Sequence, residues 1–261
     1  MPELPEVENR LLYFRRTALG QCVERVEVTA PGMIKSSAAR SFANNLRGRC
    51  FADAHRRGKY LIITLDDERL LILHFGMGGD LSYYSSPADR PKFTRIEFIL
   101  AGGKRLAFTC PRKICRVMLI DDVAQAPALR DMGPEPDAKE FSFAYLASLI
   151  EESAARQIKP LLMDQKKIAG VGNIYADEIL FEAKVRPDRR GATLSEDEIK
   201  RIHRETRRVL RRAIRIGGDE DSSNFLVSRN ARGARCSVCG QPIEKRTIGG
   251  RTAYFCPNCQ V

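Results

Sequence analysis

Short apolar runs separated by turn residues dominate the first half of the chain. Runs of strand length, rich in Leu and Ile, stand at 60–65, 70–75, 96–100 and 115–120. Pairs of Asp or Gly between them are typical of turns. Short strands at this spacing favour a sandwich or a barrel-like pair of sheets. Residues 7–19 differ, because their apolar positions recur at near-helical spacing and predict one N-terminal helix that packs on the strands.

From about residue 132 onward, the apolar pattern becomes helical. After a turn-rich stretch at 132–141, apolar residues recur at helical spacing in 143–150, 158–163 and 173–185. These three stretches predict three helices, the last of them preceded by a glycine-containing break.

A strongly basic helix is predicted beyond them. Ser195, followed three residues later by Glu198, is the signature of a capping box at a helix start. From Lys200 to Arg215 the chain has eight Lys or Arg and a single acid, Glu205. Such a helix can present a solvated face, or it can hold a polyanion.

The charge of the whole chain bears on that choice. Its 261 residues carry 44 Lys+Arg against 33 Asp+Glu, a formal net charge of +11, which favours a polyanionic partner. No run of about 18 apolar residues could span a bilayer. The start, MPELPEVENR, lacks the basic and apolar parts of a signal peptide. We therefore expect a soluble, intracellular protein without a membrane partner.

Four of the eight cysteines form two CxxC pairs at the C-terminus. The pairs are Cys236 with Cys239 and Cys256 with Cys259. Each pair can place two thiolates on a tight turn, and together they close a tetrahedral zinc site. Four protein ligands leave no open position for a substrate water, so we predict one structural Zn²⁺ as the only cofactor. A basic zinc ribbon of this kind is typical of nucleic-acid binding.

The remaining four cysteines are scattered through apolar or mixed segments, at Cys22, Cys50, Cys110 and Cys115. In a reducing compartment they are expected to be small buried or partly buried apolar residues.

The N-terminus offers a candidate nucleophile. Methionine before a small residue is usually removed, which would leave Pro2 with a free secondary amine. Such an amine can attack an electrophilic carbon and form an iminium. Glu3 and Glu6 are near enough in sequence to supply acid and base function. The alternative is an ordinary N-terminus without a chemical role.

A small-residue turn precedes the helix predicted at 173–185. Residues 169–172 read AGVG, and Asn173 follows at the helix start. Free backbone N–H groups in such a turn can bind a phosphate with help from the helix dipole. An ordinary turn between two helices is the alternative.

Several segments in order along the chain resemble those of the formamidopyrimidine-DNA glycosylase and endonuclease VIII family. They are MPELPEVE at the start, RRGKYLI at 56–62, HFGMGG at 74–79, AGVGNIYADEILF at 169–181 and GGRTAYFCPNCQ at 249–260. The resemblance covers nearly the whole chain and is closer to the formamidopyrimidine branch.

The resemblance implies an α+β fold in three parts. Residues 1–130 would be an N-terminal β-sandwich with a catalytic N-terminal helix. Residues 131–220 would be a helical, helix-two-turns-helix DNA-binding domain, and residues 221–261 a four-cysteine zinc finger. The implied function is base excision repair by a DNA glycosylase with AP lyase activity, acting as a monomer on double-stranded DNA that contains damaged bases or abasic sites. The bacterial cytoplasm and its nucleoid would be the location.

The resemblance also implies catalytic roles. Pro2 resembles the nucleophile that attacks C1′ and forms the Schiff base, and Glu3 the acid that protonates the sugar ring oxygen. Lys59 resembles the lysine that contacts phosphate and assists β-elimination, although a lysine at a strand edge is the alternative. Arg251 resembles the arginine that holds the phosphates and assists δ-elimination, and Glu6 a second glutamate near the reaction centre.

Further residues are assigned to DNA binding by the same resemblance. Asn173 would grip the phosphate beside the lesion, with Lys159 as its helper. Met77 would wedge into the gap left by the flipped base, unless it is an ordinary buried methionine, and Arg112 would pair with the orphaned base. The other assigned residues are His74, Ile114 and Gly172.

Two departures from the family pattern leave specificity open, the first for the opposite base and the second for the lesion. Ile114 stands where the family usually has Phe, between Cys110 and Cys115, which replace Asp and Gly. The 17 residues from 219 to 235 are fewer than the formamidopyrimidine enzymes use for the loop that covers the flipped base. Endonuclease VIII-like specificity for oxidised pyrimidines or hydantoins therefore remains an alternative to oxidised purines, as does a non-catalytic DNA-binding relative.

Overall fold

The computed structural model describes residues 1–217 and 233–261. The chain packs into two compact units, one formed by Met1–Pro2 with Glu6–Asp131 and the other by Glu3–Pro5 with Met132–Val261. The three domains predicted from the sequence stay a prediction, and their boundary at 220 lies outside the described residues.

The first unit contains two four-stranded antiparallel sheets, with strand orders β1-β6-β7-β5 and β2-β3-β4-β8. The strands are β1 (Val23–Val28), β2 (Phe51–Arg57), β3 (Tyr60–Leu65), β4 (Leu70–His74), β5 (Asp80–Tyr84), β6 (Thr94–Leu100), β7 (Arg105–Thr109) and β8 (Arg116–Ile120). The helices associated with them are α1 (Leu4–Thr17), α2 (Ala39–Leu46) and the short α3 (Pro127–Arg130).

The two sheets share an apolar core with α1 and α2. Phe51 is completely buried and makes edge contacts with Phe14 of α1 and Phe98 of β6, at ring-centroid distances of 5.3 and 6.0 Å. The predicted sandwich and N-terminal helix are therefore confirmed. Helix α2 was not predicted, because Ala39–Leu46 shows only two buried residues, Phe42 and Leu46, on a largely polar segment.

The second unit is helical and ends in a β-hairpin. Its helices are α4 (Phe143–Glu152), α5 (Ile158–Leu162), α6 (Asn173–Glu182) and α7 (Glu196–Arg215), and its strands are β9 (Glu244–Ile248) and β10 (Arg251–Phe255). The capping box at the start of α7 is present, with both the Ser195 and the Glu198 side chains bonded to backbone N–H groups. The predicted α+β fold class is thus confirmed.

The four cysteines outside the zinc motif correct one expectation. They are buried or half-buried, but they do not act as separate apolar residues, because they lie in two disulfide-bonded pairs, Cys22–Cys50 and Cys110–Cys115. Each bond joins two residues that flank strands of different sheets of the sandwich. Linear spacing did not indicate these pairs, since their members come together only through the folding of the sheets.

None of the helices in the described ranges is both long and apolar enough to cross a membrane.

Candidate active site

Glu3 is held in the N-terminal turn of α6 by backbone hydrogen bonds. Its Oε2 accepts from the N–H groups of Gly172, at 2.7 Å, and Tyr175, at 3.3 Å, while Oε1 accepts from Ile174 at 2.9 Å. The side chain is only 4% exposed. The first N–H groups of a helix have no partner within the helix and attract negative charge. Glu3, which directly follows the candidate nucleophile Pro2, is therefore buried and held by three backbone hydrogen bonds.

Two glycines make this arrangement possible. A Cβ atom on Gly172 would lie 2.3 Å from Cδ of Glu3, so any side chain there would displace the carboxylate. Gly170 has φ of +82°, and a Cβ there would lie 2.6 Å from Cβ of Leu4. The Leu4 N–H also donates to the Gly170 carbonyl at 3.1 Å. The AGVG turn thus packs against Glu3 and Leu4.

This corrects the expectation for the turn at 169–172. Its N–H groups were expected to be free for a phosphate, whereas those of Gly172 and of the first residues of α6 donate to Glu3. Asn173 remains beside them as the first residue of α6 and is half-buried. Its Oδ1 is buried and has no hydrogen-bond partner within the described residues. The two ends of an amide are assigned by inference, and a half-turn of the side chain would present Nδ2 as a donor at that place.

Three further candidate residues, Pro2, Glu6 and Lys59, belong to the first unit and are half-buried. Pro2 is half-buried behind Met1, which is 54% exposed. Glu6 is half-buried in the first turn of α1. Lys59, also half-buried, lies with Gly58 in the two-residue turn between β2 and β3. A turn position of this kind fixes the lysine backbone while the long side chain can extend from the sheet.

His74 ends β4 and is kept neutral by its surroundings. Burial lowers its pKa to about 4, and the charges of Arg116 and Lys59 act in the same direction. Its Nδ1 accepts from the Gly76 N–H at 3.4 Å, so the neutral ring carries its proton on Nε2. The ring can therefore donate one uncharged hydrogen bond at neutral pH. Protonation in the unfolded chain near pH 6.5 precedes that in the folded protein, so His74 lowers stability as the pH falls from about 6.5 to 4.

Three predicted DNA-contacting residues lie together on two adjoining loops, Phe75–Gly79 and Cys110–Cys115, which we call the wedge loops. Met77 and Ile114 are 41% and 43% exposed. Arg112 Nη1 lies 3.4 Å from Met77 Sδ. The structure thus places an exposed apolar side chain on each loop with an arginine between them, and Met77 is not an ordinary buried methionine.

The base of the Met77 loop is supported by a residue that the sequence did not single out. The Arg10 guanidinium of α1 lies 5.0 Å from the centroid of the Phe75 ring and forms a 3.0 Å ion pair with Asp80. A helical arginine among many others carries no sequence signal of such a contact. Arg10 stacks on one end of the loop and pairs with the residue that follows it.

Lys159 does not reach solvent, which corrects its assignment as a phosphate helper. The side chain is 0% exposed, and its Nζ lies 2.7 Å from Asp177 Oδ1 and donates to the Thr252 carbonyl at 2.7 Å. A phosphate could be reached only by breaking a buried ion pair, which is costly. Lys159 is therefore an internal anchor between α5, α6 and β10.

Asp177 completes this anchor and was missed from the sequence. Its Oδ2 accepts from the Tyr254 N–H of β10 at 3.2 Å. An acid within the apolar face of a predicted helix was the available signal. With Lys159, it bonds the backbone of β10 at two points just beyond Arg251. The Arg251 side chain is exposed at the hairpin turn and makes no ion pair or hydrogen bond to residues 1–217 or 233–261, whereas its backbone pairs with Ile248 of β9.

The zinc ligands converge as the spacing predicted. The four sulfur atoms of Cys236, Cys239, Cys256 and Cys259 all lie within 4.8 Å of one another. The distance between Sγ of Cys236 and Cys259 is 3.8 Å, and that between Cys239 and Cys256 is 3.4 Å. Ligands about 2.3 Å from a tetrahedral zinc would lie roughly 3.8 Å apart. The donor set and its size therefore fit Zn²⁺.

The pKa values of these thiols are shifted in both directions by their surroundings. A hydrogen bond from the Gln241 backbone lowers the pKa of the Cys239 thiol to about 6. Burial raises the pKa of Cys256 and Cys259, and their sulfur neighbours add to this. Four thiolates can be held at this distance only when a metal ion offsets their charge. The zinc is structural, because all four ligand positions are protein sulfurs.

Comparison with known proteins matches the whole architecture. Residues 1–117 match the family described as the formamidopyrimidine-DNA glycosylase N-terminal domain, 132–224 its H2TH domain, and 233–261 a zinc finger found in FPG and IleRS. Similar curated proteins include formamidopyrimidine-DNA glycosylases of Thermus thermophilus, 36% identical over all of this chain and 98% of the relative, and of Pelotomaculum thermopropionicum, 35% identical over 100% and 99%.

The chain belongs to the formamidopyrimidine-DNA glycosylase family. Among solved structures, the Lactococcus lactis enzyme in complex with DNA containing FAPY-dG has a TM-score of 0.89 at 32% identity, over 99% of both chains. The Thermus thermophilus enzyme has a TM-score of 0.84 at 35% identity, over 99% of this chain and 98% of the other. The protein is accordingly a base-excision DNA glycosylase of a family whose members are also AP lyases.

The position of the Glu3 carboxylate against Gly172 gives a first prediction. Gly172→Ala should lower the single-turnover rate of base excision by roughly 100-fold, because a displacement of about 1 Å of a reacting group has that cost. Gly32→Ala is the matched control, since a Cβ there meets nothing within 4 Å. An excision rate for Gly172→Ala equal to that of the control, in folded protein, would contradict the assignment.

The buried anchor gives a second prediction. Lys159→Met should lower the free energy of unfolding by about 3–5 kcal/mol, because it removes one partner of a buried ion pair. Lys200→Met removes an exposed ion pair with Glu196 and should change it by less than about 1 kcal/mol. Denaturant unfolding measures both. If Lys159→Met kept full stability but lost DNA affinity, Lys159 would be a phosphate contact after all.

Proposed function

We propose that this protein removes ring-opened and oxidised purines from double-stranded DNA and then cleaves the strand at the resulting abasic site. It acts as a monomer in the bacterial cytoplasm, where the nucleoid supplies its substrate. The observation that carries the proposal is the Glu3 carboxylate, fixed by three backbone N–H groups directly after Pro2. A protein that only bound DNA would have no need to fix a carboxylate beside its N-terminal amine.

Pro2 is the nucleophile of the first step. After removal of Met1, its secondary amine attacks C1′ of the damaged nucleotide, and the bond between C1′ and the base breaks with its electrons going to the base. The amine nitrogen loses its proton in this step, and the departing base takes one up. Glu3 delivers a proton to the ring oxygen O4′ as the C1′–O4′ bond opens. The product is an iminium between the Pro2 nitrogen and C1′. Glu6, half-buried one turn further along the chain, is assigned to proton transfer near this centre.

Strand cleavage follows from the iminium. Loss of a proton from C2′ expels the 3′ phosphate, which is β-elimination, and a second elimination expels the 5′ phosphate. Lys59 and Arg251 are assigned to the phosphates during these steps, because cations beside a leaving phosphate stabilise its developing charge. The exposed position of Arg251 at the hairpin turn supports this role, and the anchor at Lys159 and Asp177 fixes the strand that bears it.

The DNA is held on both sides of the flipped nucleotide. Neutral His74 donates to a phosphate through Nε2, and Asn173 through Nδ2, with the turn at Gly172 setting its position. Met77 and Ile114 fill the space left by the base, and Arg112 pairs with the orphaned partner. Flipping costs a few kcal/mol, which these contacts must offset. The net charge of +11 adds affinity that salt weakens and that carries no lesion preference.

Oxidised pyrimidines or hydantoins are a second candidate substrate class. The observation in their favour is the length of the segment 219–235, which at 17 residues is shorter than the formamidopyrimidine enzymes use to cover a flipped base, whereas Ile114 bears on the choice of opposite base. The segment 219–235, which the sequence singled out for lesion choice, lies largely outside the described residues.

A cleavage panel tests the proposed substrate. Duplexes carrying formamidopyrimidine, 8-oxoguanine, dihydrouracil, thymine glycol or a hydantoin are each placed opposite all four bases, with an abasic duplex as the reference. We expect the purine lesions to be cleaved fastest. Glu3→Gln should lose base excision by about 100-fold or more but keep much of the cleavage of abasic DNA, whose sugar can already open without losing a base.

The panel also separates the alternatives. Faster cleavage of the pyrimidine lesions would replace the proposed specificity with the second candidate. Binding without cleavage of any duplex, the abasic one included, would identify a non-catalytic DNA-binding relative.

A further inference from the structure

Cys110 and Cys115 form a buried disulfide at the two ends of an exposed loop. They are 0% and 1% exposed, their Cα atoms are 6.3 Å apart, and a disulfide joins them. The four residues between them, 111–114, are all exposed. Lys113 at the tip has φ of +56°, so the loop makes a tight left-handed turn. The residues assigned to read the strand opposite the lesion, Arg112 and Ile114, therefore stand on this bond.

The bond also joins the two sheets of the sandwich. Cys110 directly follows β7, which belongs to one sheet, and Cys115 directly precedes β8, which belongs to the other. Hydrogen bonds to its backbone hold Cys110 in place. Its N–H donates to the Phe93 carbonyl at 3.0 Å, and its carbonyl accepts from Arg95 Nε at 2.9 Å. The loop is thus fixed at both ends to separate layers of the fold.

The second wedge loop rests on the same sulfur atoms. Cys115 Sγ lies 3.1 Å from the Phe75 carbonyl oxygen, and a Cβ atom on Gly79 would lie only 2.7 Å from that sulfur. A Cβ on Gly76 would lie 2.9 Å from the Ile114 carbonyl. The loop that presents Met77 therefore has no side chain between its backbone and the cysteine pair.

This packing makes the loops sensitive to the state of the sulfurs. Bonded sulfur atoms are about 2.0 Å apart, whereas two thiols need roughly 4 Å. The Phe75 carbonyl oxygen lies against Cys115 Sγ, and the space beside Gly79 is too small for a Cβ atom, so little room exists for that separation. Reduction must therefore move one or both wedge loops, and with them Met77 and Arg112.

We propose that Cys110 and Cys115 are a redox-responsive site that controls the wedge loops, an inference that rests on the proposed function of those loops in DNA. In the disulfide state Met77, Arg112 and Ile114 are held for insertion, and in the dithiol state they are released. The site responds to the oxidising conditions that also produce the lesions of the proposed substrate class.

The chemistry needs a small peroxide and a dithiol. One thiolate attacks hydrogen peroxide, the O–O bond breaks, and a sulfenic acid and hydroxide form, the latter leaving as water. The second thiol displaces the sulfenic oxygen as another water, so that two thiols and one peroxide give one disulfide and two waters. A dithiol reverses the step by exchange and is itself oxidised to a disulfide.

The first experiment asks whether the bond forms in the zinc-loaded protein. The protein is reduced with dithiothreitol, treated with hydrogen peroxide, blocked with an alkylating agent and digested with trypsin. Cleavage after Arg112 and Lys113 separates the two cysteines, so a disulfide appears as two linked peptides. We expect that linked pair after peroxide and its loss after dithiothreitol. Two alkylated cysteines after peroxide treatment would overturn the proposal.

The second experiment asks whether the bond controls the wedge loops. Reduction should lower single-turnover base excision by roughly tenfold, as for a misplaced positioning group, and should reduce discrimination between opposite bases. Cleavage of abasic DNA should fall less than base excision does, because an abasic site has no stacked base that must first be displaced from the duplex. Cys110→Ser with Cys115→Ser should behave like reduced protein in both redox states.

Controls separate this site from the other cysteines. Cys22→Ser with Cys50→Ser removes the other disulfide and should keep the full redox response. Zinc content is measured in every sample, because oxidation of the zinc ligands would release the metal. Equal excision rates and equal opposite-base discrimination in oxidised and reduced wild type would overturn the proposal. Loss of abasic cleavage in all states would instead indicate failure of the proposed function.

Discussion

The carboxylate of Glu3 in the N-terminal turn of α6 is the interaction on which the proposed chemistry depends. It joins the start of the chain to a helix some 170 residues later through three backbone N–H donors. A reacting group at a chain terminus would ordinarily be mobile. Here the residue directly after the proposed nucleophile is buried and fixed. Gly170 and Gly172 are required because a side chain at either position would occupy the space of Leu4 or Glu3.

Helix α6 also holds the hairpin formed by β9 and β10. Asp177, one turn further along α6, bonds the backbone of β10 directly and through Lys159. The zinc ligands close the other end of that hairpin. Arg251 therefore stands on a strand that is fixed by a buried ion pair and a metal site, although its own side chain is exposed. The buried charges of Lys159 and Asp177 thus hold the backbone of β10.

Local patterns predicted much of the fold. The apolar run at 60–65 became β3, the capping box at Ser195 began α7, and two CxxC pairs converged on one metal site, because each signal is complete within a few residues or within two tight turns. The assignments that failed depend on distant partners. The turn at Gly172 looked free for phosphate until Glu3 was seen to occupy it. A lysine at 159 looked available until its buried partner Asp177 was known.

The pairing of the scattered cysteines was missed for the same reason, because it too depends on partners that are distant in sequence. Nothing in the spacing of Cys22 and Cys50 indicates that two strands of different sheets bring them together. The residues that the family resemblance supplied, such as Pro2 and Arg251, were found because the order of motifs along the chain carried information that their chemistry alone did not. Their roles remain proposals.

Covalent trapping identifies the nucleophile, which the proposed chemistry places at Pro2. The protein is incubated with abasic duplex and sodium borohydride, which reduces an iminium to a stable amine, and the adduct is located by mass spectrometry of the digested complex. We expect one adduct, on the nitrogen of Pro2 in chains that have lost Met1, and none in chains that retain Met1. An adduct on Lys59 or another lysine, or an undiminished adduct when Met1 is retained, would contradict that assignment.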